Sequence, residues 1–106
     1  MAWFILLLAG LLEIAWAFFM KQSEGFTQPV PTAITIVLMM ASFILLSISM
    51  KTLPLSSAYA VWTGVGSAGA FLVGVAVLGE AATPMRMLAA VFIIAGIAMM
   101  KLSSSS

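Results

Sequence analysis

Four long apolar runs dominate the sequence and leave few folds open to it. They cover about residues 2–20, 30–50, 56–78 and 84–102, with short polar segments between them. Each run has roughly the 20 residues that an α-helix needs to cross the hydrocarbon core of a bilayer. Spanning β-strands are shorter and alternate apolar with polar side chains, which these runs do not. The sequence therefore predicts an all-α membrane protein with four transmembrane helices in one domain, followed by a disordered tail at 103–106.

Composition excludes several classes of function. Hydrophobic residues make up 64% of the 106 positions and charged residues only 7%, too few charges to keep a soluble domain dispersed. The chain has no cysteine and no histidine, so the commonest metal ligands and acid–base groups are absent. We expect no metal, no cofactor and no enzymatic activity, and the net charge of +1 gives no reason to expect a nucleic-acid partner.

One carboxylate interrupts the first run. Glu13 lies about midway between Trp3 and Lys21, which mark the two water interfaces. A charged side chain near the bilayer midplane is costly and normally faces a bundle interior or a water-filled cavity. We therefore interpret Glu13 as the binding and proton-exchange site of a small transporter.

The first run also has a second interpretation, as a signal peptide. The segment 15–17 (Ala-Trp-Ala) imitates a cleavage site. However, no basic residue precedes the apolar run, and a glutamate interrupts it. We therefore treat the run as a retained helix.

Helical spacing places further candidate site residues near Glu13. Gly10 and Trp16 lie about one turn from it on the same stripe. A small residue lets a neighbour approach closely, and the indole offers a flat face to a cation.

The second and third runs add polar and aromatic candidates. Thr35, Ser42 and Ser49 recur every seven residues, and Ser42, nearest the centre of its span, is placed to hydrogen-bond Glu13. The alternative for each hydroxyl is a bond to its own helix. Tyr59 and Trp62 share a face of the third run. The predicted substrate and proton site comprises Gly10, Glu13, Trp16, Ser42, Tyr59 and Trp62.

Glycines mark the third run and the fourth. Gly64, Gly66 and Gly69 lie in the third run, and Gly96 lies in the fourth. Glycine permits close helix packing in membranes and also weakens a helix locally, so that it can bend. Both interpretations stand at this point.

Basic residues are balanced between the two faces of the membrane. Four spans place Lys51 and Lys101 on one face and Lys21 and Arg86 on the other. Lys and Arg bias normally orients such proteins. The balance is typical of dual topology, in which copies insert in both directions; the alternative is a weak signal settled by another feature. Four short helices are also too thin a bundle to enclose a cavity, and a dimer would bury Glu13.

These features resemble the small multidrug resistance transporters over essentially the full chain. The similarity rests on four short spans, on the membrane-embedded Glu13 and on the segment 53–66, LPLSSAYAVWTGVG. Within that family, Glu13 and Trp16 in Glu-Ile-Ala-Trp-Ala, together with Ser42, resemble the guanidinium exporter subtype. The quaternary-ammonium subtype typically lacks tryptophan at the position of Trp16.

The resemblance implies an antiparallel homodimer that exchanges protons for small guanidinylated cations across a bacterial inner membrane. It also implies a bend of the third helix near Gly64 and Gly66, and a dimer contact through the fourth helix. Some members work as heterodimeric pairs, although the balanced charges favour a homodimer. Two other functions stay open: a broad exporter of quaternary ammonium ions, and a non-transporting assembly protein in which Glu13 only bonds a neighbouring helix.

Overall fold

The computed structural model describes residues 1–103 and contains four α-helices in that range. Each helix has 20 to 22 residues, which gives a length of about 30 Å at 1.5 Å per residue. All four are long and apolar enough to cross a membrane, so the predicted all-α fold is confirmed. The helices are α1 (Ala2–Gln22), α2 (Pro29–Ser49), α3 (Leu55–Ala76) and α4 (Pro84–Ser103).

These bounds lie within two residues of the predicted ones. The largest difference in the second half of the chain is at the end of α3, where the sequence predicts helix to residue 78. There Gly79 adopts φ +70° and the Glu80 N–H donates to the Gly74 carbonyl at 2.9 Å, so the chain folds back over the helix end. Ser103, the first residue of the predicted tail, is helical, and the rest of that tail lies outside the described residues.

Sequence signals at the start of α4 act as predicted. Pro84 is its first residue, where the missing N–H costs nothing. The Thr83 Oγ1 accepts a hydrogen bond from the Arg86 N–H at 3.2 Å and so caps the helix.

The helix α1 is central to the packing. It contacts both α2 and α3, while α4 packs on α3. The buried core lies among α1, α2 and α3 and includes Leu6, Ala9, Leu46 and Trp62. No residue of α4 is buried.

Side-chain contacts show which helix ends share a face of the protein. The Lys101 ammonium lies 4.9 Å from the centre of the Trp3 ring, so the start of α1 and the end of α4 lie on one face. Lys21 and Glu80 line one cavity of about 170 Å³ on the other. The chain is only 16 Å across its narrowest dimension, against about 10 Å for one helix.

Candidate functional site

The best-defined polar contact in the interior links three helices through Ser42. Ser42 is fully buried, and its Oγ donates to the Ala9 carbonyl of α1 at 2.7 Å. The Trp62 indole N–H of α3 donates to the same oxygen at 3.1 Å. The predicted bond from Ser42 to Glu13 is not formed, because the single hydroxyl proton goes to Ala9.

Thr35 and Ser49, which recur with Ser42 every seven residues along α2, bond to their own helix, which is the alternative interpretation given for them. Thr35 donates to the Pro31 carbonyl at 2.8 Å and Ser49 to the Leu46 carbonyl at 2.7 Å, both within α2. Of the three, Ser42 alone bonds outside its own helix. Ser42 is therefore the one of these three residues whose side chain links α2 to α1 and α3.

This contrast predicts unequal effects on stability. Replacing Ser42 with alanine leaves the buried Trp62 N–H without its acceptor, whereas Ser49→Ala removes only a bond within a helix. Interhelical hydrogen bonds in membranes are worth roughly 0.6–2 kcal/mol. We expect Ser42→Ala to lower the free energy of unfolding in detergent by about 1–2 kcal/mol and Ser49→Ala to change it much less. Equal losses in the two variants would contradict the interhelical role.

A row of aromatic side chains runs from α1 to α3. Trp16 meets Phe43 edge-on, with ring centroids 6.3 Å apart. Phe43 lies 5.8 Å from Trp62, and Trp62 lies 5.7 Å from Tyr59. The Ser42 bond fixes the central indole, while Tyr59 and Phe43 keep about half of their surface exposed. The row therefore offers aromatic faces beside the middle of α1.

Glu13 lies half-buried between the helices and against α3. A Cβ built on Gly66 would collide with the Glu13 Oε1, Cδ and Cγ atoms, so the carboxyl group occupies the space left by the missing side chain. Its Oε1 is buried and has no hydrogen-bond partner within residues 1–103. An unpaired buried oxygen is costly and is typical of a group that a ligand satisfies.

The remaining predicted glycines divide into three kinds of environment. Gly10 and Gly69 serve the α1–α3 contact, since added Cβ atoms would collide with Val65 and with Ile14 respectively. Gly64 lies against Ile97 of α4. A Cβ added at Gly96 would meet nothing within 4 Å in the described residues, so Gly96 has no packing role among residues 1–103. Because α3 is one continuous helix through Gly64 and Gly66, the predicted bend stays a prediction.

Sequence reasoning missed two residues of this region. Phe43 joins Trp16 to Trp62, and its position directly after Ser42 was the signal available in the sequence. Thr63 has a buried Oγ1 without a partner in the described chain, and nothing in the sequence distinguishes it from other membrane threonines.

The fold and the site define a class: a multi-pass α-helical membrane protein with a buried carboxyl oxygen, unpaired within residues 1–103, in the middle of its first span. The family profile described as "Small Multidrug Resistance protein" matches residues 1–94. The chain therefore belongs to the small multidrug resistance family.

Curated relatives give the similarity more detail. The chain is 50% identical over 104 residues to the "Guanidinium exporter" of Citrobacter freundii, covering 98% of this chain and 99% of that protein. Proteins of the same name from Salmonella typhimurium strain LT2 and Escherichia coli strain K12 are 51% and 47% identical over the same length and shares of each chain. These relatives are exporters by name, which places the chain among transport proteins.

Proposed function

We propose that this protein exports guanidinium and small guanidinylated cations across the bacterial inner membrane in exchange for protons. The observation that carries the proposal is the Glu13 carboxyl group, which is half-buried at mid-span, has one oxygen without a partner in the described residues, and lies close to the aromatic row. Full-length similarity to proteins named guanidinium exporters supports the substrate. Transport, rather than catalysis, is the activity that a lone intramembrane carboxylate can perform without other reactive groups.

Competition for one carboxylate provides the coupling. A guanidinium ion presents a planar fork of N–H donors that pairs with a carboxylate through two parallel hydrogen bonds. A proton on Glu13 removes the charge that this pairing needs. Proton and cation therefore occupy the site in turn, and a protein that changes conformation only when loaded exchanges one for the other.

The surrounding side chains shape the site. Trp16 and Tyr59 supply aromatic faces that attract a delocalised cation, and the Ser42–Trp62 bond keeps the indole between them fixed. We infer that Ser42 and Trp62 position the wall of the site, since their hydrogen bonds go to Ala9 and to each other and not to Glu13.

We also propose that the active form is an antiparallel homodimer. A chain 16 Å across has room for little more than one layer of helices, so a second copy is needed to close a cavity over Glu13. The two basic residues at each face supply no orientation bias, as dual topology requires. The exposed apolar side chains of α4, which include Leu88, Phe92 and Ile94, supply a surface for the partner.

Proteoliposomes test the transport proposal directly. An outward guanidinium gradient should drive protons inward and acidify the lumen, as read by a trapped pH-sensitive dye, and protein-free liposomes should show no such change. Guanidinium flux without proton movement would overturn the coupling. The absence of any guanidinium flux would overturn the function.

A broad exporter of quaternary ammonium ions is the second candidate. The half-exposed rings of Phe43 and Tyr59 favour it, since cation–π attraction needs no N–H donor. Transport of benzylguanidinium and benzyltrimethylammonium, compared in the same vesicles, separates the two functions. Equal rates would favour the broad exporter.

A further inference from the structure

Thr63 stands beside the carboxyl site and has no role in the mechanism so far. It follows Tyr59 by four residues and precedes Gly66 by three, so it lies about one turn from each of them on the same side of α3. Gly66 is the residue against which the Glu13 carboxyl group rests. The Thr63 side chain therefore lies about one helical turn along α3 from that carboxyl group.

The hydroxyl of Thr63 departs from the usual hydrogen-bonding pattern of membrane threonines, as does that of Thr32. A membrane threonine normally bonds a carbonyl of the preceding turn, as Thr35 does. The Thr63 Oγ1 is buried and makes no hydrogen bond within residues 1–103. The Glu13 Oε1 and the Trp16 Nε1 share this condition. The neighbourhood of Glu13 therefore contains acceptors and a donor that no residue of the described range satisfies.

Guanidinium has more donors than one carboxylate can accept. Two of its N–H groups pair with the carboxylate fork, and the others need acceptors once the ion leaves water. A hydroxyl oxygen has two lone pairs and is such an acceptor. A quaternary ammonium ion has no N–H group and gains nothing from it.

We propose that the Thr63 hydroxyl accepts a hydrogen bond from a guanidinium N–H and so selects N–H-bearing cations over quaternary ammonium ions. The proposal rests on the function proposed above and adds a residue that determines its specificity. Sites that hydrogen-bond a substrate N–H discriminate strongly against analogues that lack it, because the site's polar group is then left unpaired. The Glu13 Oε1 and the Thr63 Oγ1 are both buried in this structure. A cation therefore reaches them when the surrounding helices separate.

The test compares two variants and two ligands. Thr63→Val keeps the shape of the side chain and removes the hydroxyl, while Thr63→Ser keeps the hydroxyl. Dissociation constants for benzylguanidinium and benzyltrimethylammonium are measured by tryptophan fluorescence of the purified full chain. We expect Thr63→Val to weaken benzylguanidinium binding about ten-fold, or about 1.4 kcal/mol, and to leave benzyltrimethylammonium binding unchanged; Thr63→Ser should stay within about two-fold of the wild type for both.

Three binding results would overturn the proposal: unchanged benzylguanidinium binding in Thr63→Val, an equal loss for both ligands, or the same loss in Thr63→Ser. Size-exclusion profiles of the variants in detergent show whether the fold and the oligomeric state survive. A profile altered by Thr63→Val but not by Thr63→Ser would assign the hydroxyl to assembly and also overturn the proposal. Failure of the wild type to transport guanidinium would defeat the proposed function itself and is observed independently of Thr63.

Discussion

Glu13→Gln is expected to abolish guanidinium-driven proton movement in proteoliposomes. Glutamine keeps nearly the same shape, so the contact with Gly66 is retained. Its amide group, however, carries no negative charge and cannot bind and release a proton as a carboxyl group does. Charge-assisted pairing with the cation is lost, and so is the competition that couples the two fluxes. Binding of benzylguanidinium, followed by tryptophan fluorescence, should be lost together with transport.

Matched carboxylate variants give this prediction its control. Glu24 and Glu80 are exposed in loops, and Glu24→Gln and Glu80→Gln should transport at nearly the wild-type rate. Glu13→Asp keeps the charge on a shorter side chain and should retain coupling with weaker binding. Full activity of Glu13→Gln would show that the carboxyl group is structural and would end the proposed mechanism.

Gly66→Ala should produce the next largest loss. The added methyl group would occupy the space of the Glu13 carboxyl group, and the flexible end of that side chain is what must move. A displaced carboxylate loses its two parallel bonds to guanidinium, so we expect the cation to bind at least about ten-fold more weakly, which corresponds to about 1.4 kcal/mol. Isothermal titration with guanidinium measures the effect.

Gly69→Ala is the matched control for Gly66→Ala. It adds the same methyl group to the same α1–α3 contact, but its Cβ meets Ile14 instead of the carboxyl group. Overpacking typically costs about 1–3 kcal/mol of stability, so both variants should melt at lower temperature than the wild type. If the two bind guanidinium equally well, the Gly66 contact does not position the carboxylate.

Much of the fold could be predicted because each helix satisfies its backbone hydrogen-bonding groups internally. The 20-residue apolar runs required helices, and Pro84 and Thr83 marked the start of α4 correctly. The predicted end of α3 was two residues too late, because the backbone turn at Gly79 and the bond from Glu80 to Gly74 depend on the loop that follows. The pattern of apolar residues does not predict the course of that loop.

For the candidate site, the sequence proposes members but does not give their contacts. Helical spacing grouped Glu13 with Trp16 on one stripe, and Tyr59 with Trp62 on one face. It did not reveal that the Ser42 hydroxyl bonds Ala9. Nor did it show that Gly66, among several glycines in α3, is the one facing the carboxyl group. Spacing along one helix defines a face but not the residue of another helix that the face meets.

The sequence by itself determined that this protein consists of four membrane-length helices with one acidic group at the middle of the first. It did so because a bilayer permits few ways to satisfy a backbone and makes a buried charge conspicuous. Only the tertiary structure decided which side chains surround that group. Phe43 joins Trp16 to Trp62, and Thr63 has no partner among residues 1–103. Those neighbours depend on the rotation and depth at which helices pack, and close packing of small residues such as Gly66 sets both.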